Sequence, residues 1–246
     1  MKILCSPTKT MRPANPGVET LMFPKETEEV LRAYGALSKE ERGELLHIEG
    51  ELLEKAETLL QDFGKGPGVM AVEGFSGLQF QYLDWESLDA KAREYLDEHL
   101  FILSAVYGLI PAGASIHGLR LDMKDRLEVS GVRLEVFWRK VLEEWAHNEE
   151  EPILLIASSE YANVFSKNIR ERMVQVSFGE RVMKEGEPRF RAKATYAKMA
   201  RGSLLREMAT REIASVEELK GLSILGMVYN EGLSEENHLR FTKEEE

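Results

Sequence analysis

Apolar residues fall along this chain in two periods, and the sharpest signal is a run with no period at all. Ile153-Leu154-Leu155-Ile156-Ala157 stands between Pro152 and Ser158-Ser159, and an unbroken apolar run of that length predicts a strand buried on both faces. A shorter copy opens the chain, where Ile3-Leu4-Cys5 breaks at Ser6-Pro7-Thr8-Lys9-Thr10. Strands that end in polar turns are where open α/β sheets hold ligands. If these two lie side by side and point the same way, Ser6, Lys9, Thr10, Ser158, Ser159 and Glu160 converge on one rim.

The helical period is clearest at Leu52, Leu53, Ala56, Leu59, Leu60 and Phe63, which predicts an amphipathic helix over 51–63. Ser38 with Glu41 three residues on has the form of a capping box for a helix before it. A second core helix is predicted from Leu134, Phe137, Trp138, Val141, Leu142 and Trp145, and another over 196–208. Ser87 is positioned to cap a helix carrying Leu88, Ala92, Tyr95 and Leu96, and Ser215 with Glu218 to cap a short one. Strands are expected at 69–72, 101–103 and 174–178, with a hairpin at Lys184-Glu185-Gly186-Glu187. Leu119, Leu121 and Met123 alternate with Arg120, Asp122 and Lys124, which predicts a strand with one charged face. Gly226-Met227-Val228-Tyr229 reads as a last strand before a charged, frayed tail.

Strands and helices alternate with no compositional linker. We therefore expect one α/β domain over 1–246, a mixed sheet flanked by helices with a helical insertion at about 26–63. A chain of 246 residues with 43% apolar content can bury a sizeable core. No run approaches the roughly 18 apolar residues of a membrane helix, and Met1-Lys2-Ile3 leads into a strand rather than a signal peptide, so a cytoplasmic location and no membrane partner are expected.

Charge changes the picture locally. The net charge of -11 argues against a protein that coats DNA over its whole surface. Yet residues 164–206 hold eleven basic residues against four acidic ones, so a positive face can exist on an acidic body. Lys198 and Arg201, three apart in a predicted helix, share one face, as an anion site requires. Arg120 and Asp122 share one face of the predicted strand, as an ion pair or as part of a site.

Other chemistries find less support. Cys5, the sole cysteine, excludes an internal disulfide and a cysteine zinc site, and within an apolar strand it reads as core. The five histidines show neither helical pairing nor an HExxH pattern, so no metal is expected. The Gly64–Gly68 loop lacks the spacing of a P-loop or a dinucleotide fingerprint, and no cofactor is expected. Ser158 and Ser159 lack the nucleophile elbow of a hydrolase. Glu160 beside Lys9 reads equally as an acid/base pair or a buried salt bridge.

Six strings, in order, carry a resemblance: Ser6-Pro7-Thr8-Lys9-Thr10, Leu103-Ser104-Ala105-Val106-Tyr107-Gly108, Arg120-Leu121-Asp122-Met123, Phe137-Trp138, Ala157-Ser158-Ser159-Glu160-Tyr161 and Tyr196-Ala197-Lys198-Met199-Ala200-Arg201-Gly202. Together they resemble the motifs of the YaaA family of bacterial peroxide-stress proteins, over nearly the whole chain. The resemblance implies a cytosolic protein that limits iron-dependent oxidative damage. It also implies a positively charged cleft, a helix-hairpin-helix segment and DNA binding, which the local charge makes weak and largely sequence-independent. The matching hairpin is 48–56. There Leu52 stands at the usual second glycine, and Glu49, Glu51 and Glu54 crowd the helix start that should attract phosphate. The alternative is an enzyme acting on a small anionic or nucleobase-like ligand in the same cleft. The candidates for catalysis are Lys9, Asp122, Ser158 and Glu160; those for ligand or DNA binding are Ser6, Lys9, Thr10, Arg120, Lys198 and Arg201.

Overall fold

A computed structural model describes residues 1–244. Strand β1 (Lys2–Cys5) leads through a proline-containing connection to three helices, α1 (Pro24–Gly35), α2 (Lys39–Leu46) and α3 (Gly50–Asp62). Pro24 opens α1 where a missing N–H costs nothing, and α2 begins with the expected capping box between Ser38 and Glu41. Arg42 ties α2 to α3 through two 2.6 Å hydrogen bonds to Glu57.

The chain continues through β2 (Val69–Met70), α4 (Ala71–Gly74), α5 (Leu78–Leu83) and α6 (Ala90–His99) to β3 (Leu100–Ser104) and β4 (Gly108–Pro111). Short pieces follow, β5 (Ser115–Ile116), β6 (Glu128–Val129) and β7 (Val132–Arg133), before the core helix α7 (Leu134–Asn148). Beyond it lie β8 (Ile153–Leu155), α8 (Ser159–Ala162), α9 (Lys167–Arg170), the hairpin β9 (Val174–Lys184) and β10 (Glu187–Ala192), and α10 (Ala194–Arg211). The described chain closes with α11 (Val216–Lys220), β11 (Ser223–Ile224), β12 (Met227–Tyr229) and β13 (His238–Glu244). Among the described residues no helix is long and apolar enough to cross a membrane.

Nine strands make one mixed sheet in the order β11-β12-β13-β9-β8-β1-β3-β4, with β10 on β9. Its centre is parallel: β3, β1, β8, β9 and β13 all run the same way. The two apolar runs are neighbours as expected, with Ile3 opposite Leu154 and Leu4 opposite Leu155. From β1 the chain crosses to β3 on one side, and from β8 it crosses to β9 on the other. The gap between the carboxyl ends of β1 and β8 is thus a topological switch point, where an open parallel sheet leaves a crevice.

Two glycines set the walls of that crevice. A Cβ on Gly202 would stand 1.9 Å from Gln79 O, so only glycine lets α10 lie against α5. Gly108 (φ +72) turns β3 into β4 beneath Trp138, whose ring would meet a Cβ at 2.4 Å. Trp138 Nε1 donates to Ala105 O at 2.8 Å, fixing α7 to the same turn.

Several expectations need correction. Residues 119–124 form no strand: Leu121 and Met123 are buried, but the backbone bonds to side chains, with Tyr34 Oη donating to Arg120 O and Asp122 N donating to Asp125 Oδ2. Asp89, not Ser87, caps α6, its carboxylate accepting from Ala92 N at 2.9 Å. The strand expected at 69–72 gives way to α4 after Met70. What reads as a frayed tail after Tyr229 contains β13, paired along β9 with Leu239 and Phe241 buried; its apolar positions are interrupted by Arg240 and Lys243, which masks the strand. In the insertion, α2 and α3 are joined by a short turn. Leu52 is exposed on α3, and no side chain caps that helix at Glu49.

Candidate functional site

At the switch point the two strand-end turns are stitched together by serines. Ser158 N donates to Ser6 Oγ at 2.8 Å, and Ser6 Oγ in turn donates to Ser158 Oγ at 3.2 Å. Gln79 reaches across from α5, its amide donating to Ser6 O at 3.0 Å. Around these groups opens a cleft of about 370 Å³. Ser6, Lys9, Thr10, Asp122, Ser158, Glu160, Lys198 and Arg201 line it, whereas Ser159, expected on the same rim, and Arg120 do not. Arg120 lines a smaller neighbouring chamber that shares Lys9, Asp122 and Tyr161 with the cleft.

Pairing within the cleft differs from the sequence reading. Lys9 pairs with Asp122, not with Glu160, and Asp122 accepts from Tyr161 Oη at 3.3 Å rather than pairing with Arg120. Glu160 meets Lys124 instead, at 3.4 Å. The reason is the path of the loop at 117–126, which carries Asp122 and Lys124 over the rim from a segment that is not a strand. Burial, followed by the charges of Asp122 and Glu160, pushes the Tyr161 hydroxyl well above its ordinary value, so Tyr161 stays protonated and donates. Ser6 and Ser158 bond each other, with no histidine in the cleft to activate either. These bonds hold the two strand ends together.

Arg201 is the exception to this pairing. It is largely buried on α10, its Nε has no hydrogen-bond partner, and no carboxylate reaches it. Burial holds the guanidinium below its ordinary value, with the Cys5 thiol acting in the opposite direction. That thiol is fully buried and pushed up to about 12 by desolvation, so Cys5 is no thiolate nucleophile toward peroxide. Lys198 stands one turn before Arg201 on the same face and is exposed at the mouth. Among the described residues no three histidine, cysteine or acidic side chains come together to hold a metal ion.

Gln79 and Lys124 escaped the sequence reading. Gln79 sits between Gly77-Leu78 and Phe80 with no pattern to mark it, and Lys124 was legible only as the charged face of a strand that does not form.

The basic segment is partly self-neutralised. Glu180 takes Arg191 at 2.7 Å and Lys193 at 2.6 Å, Lys167 pairs with Glu171, and Arg206 with Asp84. Lys184 and Arg189 remain exposed on the β9–β10 hairpin. Because β10 continues along the edge of β9 where β8 has ended, that hairpin rises past the rim of the cleft.

A sequence model of the family described as peroxide stress protein YaaA matches residues 1–233. A UPF0246 protein of Finegoldia magna is 32% identical over 245 residues, covering 99% of this chain and 98% of the relative. A UPF0246 protein of Streptococcus pneumoniae is 31% identical over 246 residues, covering 99% and 100%.

Proposed function

The chain belongs to the peroxide stress protein YaaA family, and from that premise we propose that it acts in the cytoplasm to limit iron-dependent damage under hydrogen peroxide, by binding a small anionic ligand in the cleft above β1 and β8. One observation carries the reading: Arg201 is a largely buried cation that pairs with no carboxylate among the described residues. Burying a charge without a partner costs several kcal/mol. A group kept at that cost beside Lys198, at a switch point, fits an anion that arrives from outside. A cleft that mixes Arg, Lys, Asp, Glu and Ser also fits a small molecule better than a phosphate track, and it leaves room for an enzyme acting on that ligand.

DNA is the second reading, favoured by the hairpin with exposed Lys184 and Arg189 beside the rim. Its contacts would be few, because so much of the 164–206 charge is already paired.

The test is survival under peroxide of cells that lack their own copy of the gene. The wild-type protein restores survival and lowers unincorporated iron; the Lys198→Met/Arg201→Met double variant, expressed to the same level, does neither. Full rescue by the double variant would remove the cleft from the function.

A further inference from the structure

A second orphaned atom belongs to a side chain that lines the same cleft. Glu160 Oε1 is shielded from solvent and accepts no hydrogen bond, while its other oxygen reaches Lys124 at 3.4 Å. Arg201 Nε is in the same condition with the opposite need, a donor without an acceptor. A buried polar atom left unsatisfied costs about 1–3 kcal/mol, and the simplest relief for these two would be to bond each other. They line one cleft and do not pair. The other carboxylate of the cleft is already engaged, since Asp122 serves both Lys9 and Tyr161. Glu160 therefore keeps an unused acceptor and Arg201 an unused donor, on two side chains that line one cavity of about 370 Å³.

We infer that the ligand of this cleft carries both charges' complements on one skeleton: an anionic group that meets Arg201 and Lys198, and an N–H donor that meets the Glu160 carboxylate. This rests on the anion-site reading above and adds the donor. The chemistry is that of an amino acid or of an aminopurine nucleotide. Lys124 at the outer oxygen of Glu160 fits the same picture, balancing the carboxylate without occupying its inner face.

Matched pairs of probes test it by calorimetry: glutamate against glutarate, and adenosine 5′-monophosphate against purine riboside 5′-monophosphate, which lacks the amino group. Inorganic phosphate reports the anion site alone. In the wild-type protein the amino-bearing member of one pair binds about tenfold or more tightly than its twin, the range for a hydrogen bond to a charged group. Which pair shows the preference tells amino acid from nucleotide. Glu160→Met brings that ratio close to one and leaves phosphate binding in place, whereas Arg201→Met removes binding of all the probes. Glu160→Gln keeps an accepting oxygen without the charge, so it retains preference for a neutral amine and loses it for an ammonium group; its melting temperature checks the fold. Twins that bind the wild type equally, or a ratio untouched by Glu160→Met, overturn the inference while phosphate binding leaves the anion site standing. If neither phosphate nor any other probe binds, both fall together.

Discussion

Arg201 holds a charge that no carboxylate among the described residues pairs with, and this has a consequence for stability as well as binding. Replacing a buried, uncompensated guanidinium with an apolar side chain of similar length removes a desolvation cost and keeps the packing. Arg201→Met should therefore raise the unfolding free energy of the ligand-free protein by about 1 kcal/mol, read from denaturant midpoints, while anion-induced stabilisation disappears. A loss of stability in that variant would mean that the guanidinium is satisfied in solution by a group within the protein. At this scale the sequence was informative where spacing does the work: Lys198 and Arg201 share a face because three residues nearly complete a helical turn. It was uninformative where a loop chooses the partner. Asp122 rather than Glu160 receives Lys9 because of how residues 117–126 travel, and no local pattern encodes that path.

The placement of Arg201 is the work of two helices that touch closely. α10 meets α5 at Gly202, where a methyl group would collide with the Gln79 carbonyl, and Gln79 in turn holds the end of β1 through Ser6 O. Gly202→Ala should separate the helices, destabilise the protein by about 2–4 kcal/mol and weaken anion binding, both measurable on one purified variant. An alanine tolerated without change would show that the helices are not in register there. α7 was legible because burial imposes its helical period directly, and β8 because burial on both faces leaves an unbroken apolar run. β13 was not, since its outward Arg240 and Lys243 look like tail sequence until β9 pairs with it. The 119–124 segment failed in the opposite way: alternating burial of Leu121 and Met123 arises there without a ladder.

Across the whole molecule, the net charge of -11 opposes DNA except where positive side chains remain unspent. With Arg191 and Lys193 committed to Glu180, and Lys167 and Arg206 to their own partners, roughly three to five phosphate contacts are within reach, and log K should fall with log salt at about -0.9 per contact. Fluorescence anisotropy over a salt series checks this. A Lys184→Ala/Arg189→Ala variant should flatten the slope by up to about two contacts, whereas Arg201→Met should leave it alone; the reverse pattern would place DNA in the cleft. The fold class was legible in the chain as a whole, because alternating strands and helices admit few architectures. The switch point required strand order, which only the paired registers provide.

The most direct measurement is a crystal structure of the protein grown with adenosine 5′-monophosphate or inorganic phosphate. An anion in the cleft, with oxygens about 2.8 Å from the Arg201 guanidinium as in charge-assisted pairs and Lys198 turned toward it, is the predicted result. Anion density confined to the β9–β10 hairpin, with Arg201 paired instead to a carboxylate of the protein, would contradict it.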